Sequence, residues 1–205
     1  MKLKNIFLIL ILLSPFFWWQ FLSKQNKIFF EYQQSPFYIK NKISSIFKNT
    51  QYIDEFRWND ATKDGRPFLG KFFYNKSYLL ISESIIYLNN LNPRFYFQSG
   101  SGQIDSPPNI EPIASILLPI SFLGIFKLIK KKNYKFLLIG LFSVLLGYLT
   151  GHSTIYFLFP MALFYLYSSA YQISCLNIKK QKIFFLIFIT YSLFLFLRVF
   201  LQTRI

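Results

Sequence analysis

The sequence predicts an all-α membrane protein with about five transmembrane helices and one mainly helical extracytoplasmic loop of about 90 residues. All eight acidic residues lie between Glu31 and Glu111, so both flanking segments contain long apolar runs without a carboxylate. Hydrocarbon imposes this distribution, because an ionised Asp or Glu at the bilayer centre costs roughly 2.5 to 3.5 kcal/mol. Hydrophobic residues make up 53% of the chain and phenylalanine supplies 27 of 205 residues, which exceeds the globular average.

Three regions follow from this pattern. They are residues 1–23, a signal-anchor transmembrane helix; residues 24–112, an extracytoplasmic loop region; and residues 113–205, a four-helix transmembrane region. The first span, roughly Leu3 to Leu22, is about as long as the ~20 residues that cross the hydrocarbon. It lacks a small-residue cleavage site, and its Trp18-Trp19 pair suits the aromatic belt of the outer interface. Pro15 is expected to bend this helix without ending it.

Four further spans are predicted in the last region. They are Ile113 to Ile129, Tyr134 to Thr150, Thr154 to Gln172 and Ile183 to Leu201. The positive-inside rule places the lysines at their ends in the cytoplasm, together with the N-terminus. Those lysines are Lys2, Lys4, Lys127, Lys130, Lys131, Lys132, Lys135, Lys179, Lys180 and Lys182. The predicted location is the cytoplasmic (inner) membrane, multi-pass, with the N-terminus inside.

The loop region contains two segments with apolar residues at three- and four-residue spacing, Phe37 to Phe47 and Phe72 to Leu91. This spacing predicts amphipathic helices that lie on the membrane or on each other. In the membrane region, Gly147-x-x-x-Gly151 has the small-residue spacing that permits close helix approach.

The formal charge of +15 favours membrane lipids as partners over nucleic acid, because many of the lysines flank apolar spans. Anionic lipid headgroups are the expected counter-charge, and no nucleic acid is predicted. The single cysteine, Cys175, excludes an internal disulfide and a Cys-based zinc site, and it is expected to be a buried or interfacial structural thiol. No metal site and no cofactor are predicted.

The densest polar group of the loop interleaves both signs of charge, which favours a solvated, self-paired surface over a general base or a cation site. Its members are Asp54, Glu55, Arg57, Asp60, Lys63, Asp64 and Arg66. The only histidine, His152, lies at a predicted turn beside Gly151, where capping or exposure is favoured over phosphate binding. Without a second histidine or a nucleophile elbow, triad hydrolysis is set aside, and the catalytic residues stay unassigned.

Several short segments occur in a characteristic order. They are FFYNK at 72–76, YLNNLNPRFYF at 87–97, Pro107-Pro108 and the apolar span containing Leu123-Gly124-Ile125. This order resembles the C-terminal part of bacterial membrane glycosyltransferases of the dolichyl-phosphate-mannose-protein mannosyltransferase type, and it covers about residues 70 to 170. Members of that family are longer, with around a dozen spans, and carry catalytic acidic residues in the first outer loop. This chain has one span before its loop, so the catalytic half is expected to be absent.

The resemblance implies a protein that works with a polyprenyl-phosphate sugar on the outer face of the membrane, glycosyltransferase-like but not active alone. Under this reading, Arg57 and Arg94 are the candidate lipid-phosphate contacts. A larger membrane protein is a second candidate partner. The alternative reading is a non-catalytic structural or assembly subunit of a larger membrane complex. A small transporter is disfavoured, because the predicted spans carry no mid-membrane acidic residue or histidine to couple ions.

Overall fold

The computed structural model describes residues 1–22, 27–48, 91–98, 110–150 and 158–202, with single positions at 54–55, 58, 81, 85 and 88. All regular secondary structure within these residues is helical, so the all-α prediction is confirmed for this part of the chain. The helices are α1 (Leu3–Leu12), α2 (Pro15–Leu22), α3 (Lys27–Lys48), α4 (Arg94–Phe97), α5 (Leu117–Lys130), α6 (Tyr134–Thr150), α7 (Phe159–Ser174) and α8 (Ile178–Gln202).

The first predicted span is two helices. α1 ends at Leu12, and Pro15 opens α2, so the expectation that Pro15 bends one continuous helix is wrong. Proline has no N–H to donate to the preceding turn, but it is well tolerated at a first helical position. The break is held by a neighbouring segment, because the Pro112 carbonyl accepts from the Ser14 hydroxyl at 3.1 Å and from the Phe16 N–H at 2.8 Å.

Each of the four later segments predicted as spans overlaps one helix, in the order α5 to α8. α6 has the predicted bounds, α8 starts five residues earlier than Ile183, and α5 begins at Leu117 instead of Ile113. The late start of α5 has a local cause. Pro119 has no N–H to donate, which costs little only in the first turn of a helix, so α5 starts shortly before it. Pro112 lies in the irregular, largely buried stretch from Ile110 to Ile116 that precedes the helix.

α7 is the central helix of the described fold. It packs against α1, α5 and α6, and much of its surface is buried. Its buried residues are Met161, Ala162, Phe164, Tyr165, Leu166, Ser168, Ser169, Ala170 and Ile173. Aromatic contacts add to this core, since the Phe136 ring of α6 stacks on Tyr167 with centroids 3.9 Å apart.

α5 and α7 cross where both helices carry small residues. A Cβ on Gly124 would overlap the carbonyl oxygen of Ser168 and lie 2.6 Å from its carbonyl carbon, so the two backbones are in contact. Beside this point the hydroxyls of Ser121 and Ser168 are 3.4 Å apart. Small residues allow the same approach between membrane helices. The sequence predicted close helix approach at Gly147 and Gly151 instead. Gly147 is buried, and Gly151 lies outside the described residues.

Within the described residues, one helix is both long and apolar enough to cross a membrane, the stretch Ile178–Leu201 of α8. Only 28% of its apolar window is buried against the rest of the protein. α1 and α6 are apolar but shorter, at 10 and 17 residues. The prediction of five spans therefore stays a prediction.

The loop region is described in part. The predicted helix Phe37 to Phe47 is confirmed and extends over the whole of α3. α3 packs on α6, with the Lys42 ammonium 4.6 Å from the centre of the Tyr148 ring. Of the predicted helix Phe72 to Leu91, Ile81 and Ile85 are helical, and most of the remainder lies outside the described residues.

Candidate functional site

The N-terminus and the corner between α7 and α8 meet at one end of the bundle. The Met1 ammonium donates to the Gln181 side-chain oxygen at 2.9 Å. The amide nitrogen of Gln181 donates to the Leu176 carbonyl at 2.9 Å and to the Ile173 carbonyl at 3.2 Å. Both carbonyls belong to the last turn and exit of α7, where helical partners run out. One buried glutamine of α8 thus hydrogen-bonds to the N-terminus that precedes α1 and to the end of α7.

The turn between α5 and α6 lies at this same end. The Lys131 ammonium is 5.5 Å from the centre of the Tyr171 ring, near the end of α7. Tyr171 raises the pKa of Lys131 above its ordinary value, because its side chain favours the charged form of the ammonium. Lys131 therefore stays cationic at neutral pH.

Lys132 occupies a position that normally takes glycine. Its φ is 56°, its N–H donates to the Ile129 carbonyl at 2.9 Å, and the Asn133 N–H donates to the Leu128 carbonyl at 3.0 Å. These two bonds form a Schellman motif, in which the left-handed residue is usually glycine. A lysine there costs roughly 1 kcal/mol of backbone strain. The protein would be more stable with glycine at this position, so the charged side chain of Lys132 is kept at a cost in stability.

We define the basic end as the surface formed by the lysines of these three segments. Its exposed members are Lys2, Lys4, Lys130, Lys131, Lys132, Lys135, Lys179, Lys180 and Lys182, and Lys127 is half-buried. The sequence has no Asp or Glu in residues 1–30 or 112–205, so these segments supply no acidic side chain to neutralise the lysines. Such a surface attracts anionic headgroups by roughly 1 kcal/mol per lysine.

The opposite end of the bundle holds the segment 91–98. The Tyr165 hydroxyl of α7 donates to the Leu91 carbonyl at 2.6 Å, and the Ile113 N–H donates to the Tyr96 carbonyl at 2.8 Å. Tyr96 and Phe97 are buried, and each ring centre is 5.3 Å from that of Tyr165. The short helix α4 is therefore anchored on the bundle by both backbone and aromatic contacts.

Arg94 is exposed on this anchored segment. Its backbone N–H donates to the Asn92 side-chain oxygen at 3.0 Å, and its Nε donates to the Gln98 side-chain oxygen at 2.8 Å. The bond to Gln98 orients the guanidinium and leaves its terminal NH₂ groups as donors for a phosphate. Of the two arginines predicted from the sequence, Arg94 is placed at the surface of the bundle, and Arg57 lies outside the described residues.

The sequence did not predict a hydrogen-bonded cluster around one carboxylate, that of Glu111. One oxygen of Glu111 accepts from the Ser115 N–H at 2.6 Å and from the Tyr191 hydroxyl at 2.9 Å, and the Ser115 and Tyr191 hydroxyls are 3.3 Å apart. The available signal was the position of Glu111, the last acidic residue before a long stretch without any. The cluster joins the segment before α5 to the middle of α8.

Several other candidates have less structural context. Asp54 and Glu55 are exposed and helical, whereas the other members of their charged group lie outside the described residues, as does His152. Cys175 is a free, exposed thiol just after α7, so the expectation of a buried thiol is wrong, and its place at a membrane interface stays a prediction. Among the described residues, no three His, Cys, Asp or Glu side chains come together to hold a metal ion.

No protein-family model, curated protein or solved structure matches this chain. The function is therefore inferred from the two ends of the bundle and from the residues between them.

Proposed function

We propose that this protein is a multi-pass protein of the cytoplasmic membrane that binds a polyprenyl-phosphate sugar at its outer end. In this proposal it corresponds to the C-terminal, carrier-facing portion of a mannosyltransferase-type glycosyltransferase and lacks the catalytic half. One observation carries the proposal: the lysine-bearing segments meet at one end of the bundle, and the anchored segment that displays Arg94 lies at the other.

The helix directions support alternating crossings. Met1 is near Gln181 at the basic end, and Trp18 of α2 contacts Phe196 of α8 toward the other end, with ring centres 4.8 Å apart. α1 and α2 together, followed by α5, α6, α7 and α8, would then cross five times with the N-terminus inside. α5 rises only about 21 Å over its 14 residues. The buried stretch Ile110 to Ile116 would complete this crossing, since irregular backbone is tolerated at depth when protein covers it.

Cysteine accessibility tests the orientation. Cys175 is exposed near the basic end, so a membrane-impermeant maleimide should label it only after right-side-out vesicles are permeabilised. The matched variant carries Cys175→Ser with Gln98→Cys at the other end, and its thiol should react in sealed vesicles. Labelling of Cys175 in sealed vesicles would contradict the proposed orientation.

Carrier binding tests the function. The detergent-solubilised full chain should bind polyprenyl-phosphate mannose saturably, and Arg94→Ala should weaken this binding about tenfold, which corresponds to ~1.4 kcal/mol. Arg94→Lys should retain part of the affinity, because it keeps the charge but loses bidentate geometry. Lys130→Ala at the basic end and Lys40→Ala on α3 are matched controls. Equal loss in all three alanine variants would indicate general charge attraction and would overturn the assignment of Arg94.

A structural or assembly subunit is the second candidate, and the exposed face of α8 favours it. α8 packs mainly on α2 and leaves large apolar side chains uncovered, such as Leu186 at 71% and Leu197 at 59% exposure. A partner helix in the membrane would bury this face. Tryptophan substitution at Leu186 or Leu197 should then shrink the complex seen on a native gel of gently solubilised membranes, whereas unchanged migration would argue against a partner on this face.

A further inference from the structure

A shallow groove of about 640 Å³ runs along the outer surface of α6. It is lined chiefly by Leu138, Phe142, Leu145, Leu146 and the ring of Pro160 at the start of α7, and Lys135 closes one end. Leu138 and Phe142 are 59% and 58% exposed, so the described residues leave much of this apolar surface uncovered.

The groove is chemically asymmetric. The Ser143 hydroxyl in its wall donates to the Gly140 carbonyl at 2.6 Å, which satisfies that donor within the helix. Lys135 is the charged side chain among the described lining residues, and it is exposed in the first turn of α6. Pro160 marks the opposite end. From Lys135 to Leu146 the helix rises about 16 Å, which gives a long apolar channel with a cation at one end.

We propose that this groove binds one anionic phospholipid of the inner leaflet, with the phosphate at Lys135 and an acyl chain along Leu138, Phe142 and Leu145. Charge complementarity identifies the occupant, because the single cation lies at the basic end, where headgroups are expected, and the remaining lining is apolar. The helices of a second copy would not supply an anion for Lys135, since residues 112–205 contain no Asp or Glu. The proposal depends on the membrane orientation given above and is independent of carrier binding at Arg94.

Native mass spectrometry of the full chain in detergent tests this site with two probes, phosphatidylglycerol and phosphatidylcholine. Phosphatidylglycerol should bind at one saturable site with at least fivefold preference over phosphatidylcholine. Lys135→Ala should weaken phosphatidylglycerol binding about tenfold, as expected for loss of a charge-assisted contact of ~1.4 kcal/mol. Lys179→Ala removes an equally exposed lysine of the basic end outside the groove and should change the affinity less than twofold.

The acyl chain is tested separately by filling the groove. Leu138→Trp adds bulk at an exposed position and should reduce binding of phosphatidylglycerol without unfolding the protein. Arg94→Ala should leave this binding unchanged, so failure of the carrier assignment and failure of the groove assignment are distinguishable. Glycerol phosphate at the same concentration should not compete, because it has no chain to occupy the groove.

Three outcomes would overturn the proposal. Equal weakening by Lys135→Ala and Lys179→Ala would indicate diffuse attraction to the whole basic end. Unchanged binding in Leu138→Trp would show that the chain of the lipid does not enter the groove. A change in oligomeric state in Leu138→Trp, with lipid binding intact, would identify a second copy as the occupant.

Discussion

α7 and α8 follow each other in the sequence, and both are predicted spans, but they occupy different environments. α7 is surrounded by α1, α5 and α6, and it buries small and polar residues such as Ser168, Ser169 and Ala170. α8 is richer in phenylalanine, leucine and isoleucine, and only 28% of its apolar window is buried. The helix with the longer apolar stretch is therefore the peripheral one.

In water, the helix with the longer apolar stretch would be expected in the interior. The observed arrangement is the reverse, and it agrees with packing in a bilayer. Lipid tails are as apolar as leucine, so burial of a leucine against protein gains little there, and helices associate through close backbone approach and polar contacts. The crossing of Gly124 with Ser168 and the pair of hydroxyls beside it have this character. A leucine-rich helix can remain at the edge of such a bundle, as α8 does.

Breaking the interior crossing should have the largest effect. Gly124→Leu places a side chain where the Ser168 carbonyl lies, and this overlap involves backbone that cannot move away without separating α5 and α7. We expect loss of folded protein, or destabilisation of more than about 3 kcal/mol, since overpacking of 1–3 kcal/mol is usual even where side chains can yield. Chemical unfolding in detergent measures it. The control is Gly140→Ala, whose new Cβ would be 3.9 Å from Met161 Sδ, an ordinary contact.

Truncation of one leucine in each helix would sharpen the comparison. Leu166→Ala in α7 removes a fully buried side chain, and the cavity left behind should lower the free energy of unfolding by about 2 to 3 kcal/mol, because packing contacts are lost even where lipid replaces water. Leu186→Ala in α8 removes a side chain that is 71% exposed and should change it by less than about 0.5 kcal/mol. Similar losses at both positions would mean that α8 is as tightly packed as α7, contrary to the structure.

Removal of the Gln181 hydrogen bonds between α7 and α8 should have an intermediate effect on stability. Gln181→Leu removes the donor to the Ile173 and Leu176 carbonyls and the acceptor for the Met1 ammonium. We expect destabilisation of about 1 to 2 kcal/mol, because carbonyls at the end of α7 lose their partner. Faster amide exchange confined to residues near 173–181 would show that these bonds act on the corner, whereas exchange spread over the whole of α7 would contradict this local role.

The smallest effect is predicted at the turn that ends α5. Lys132→Gly should stabilise the protein by about 0.5 to 1 kcal/mol, because glycine adopts the left-handed conformation without a Cβ clash. The same change removes one charge from the basic end and should weaken association with anionic vesicles slightly. Lys130→Gly, at the last residue of α5, is the matched control and should not stabilise, because Lys130 has an ordinary negative φ. Destabilisation by Lys132→Gly would mean that the lysine side chain contributes more than its backbone strain costs.

Long apolar runs predicted the helices of residues 113–205 well and their ends less well. α6 was predicted with its observed bounds because lysines and a predicted glycine turn flank it on the two sides. The start of α5 was missed because apolar residues continue through the irregular stretch Ile110 to Ile116, and hydropathy does not distinguish buried coil from helix. Pro15 was misjudged because the partner of the broken turn, the Pro112 carbonyl, lies 98 residues from Ser14.

The candidate site residues were likewise predictable only where a local run of sequence marks them. Arg94 was proposed from the local run of residues around it, and the structure places it, exposed, on an anchored segment. Its role as a phosphate contact stays a prediction. The contact of Glu111 with Tyr191 was not predictable, because it joins residues 80 positions apart and the position of Glu111 in the sequence does not indicate its partner. The groove beside Lys135 was also invisible, since it needs the relative placement of α6 and the start of α7.

The sequence by itself determined the helical class, the confinement of every carboxylate to one region and the lysine clusters at the ends of apolar segments. These properties depend on residue type and local spacing, which hydrocarbon and helix geometry constrain directly. Only the tertiary structure decided that α7 is central and α8 peripheral, that Gly124 meets Ser168, and that Gln181 joins the N-terminus to the α7–α8 corner. These contacts depend on which helix faces meet, and apolar residues on every face of a helix do not encode that choice.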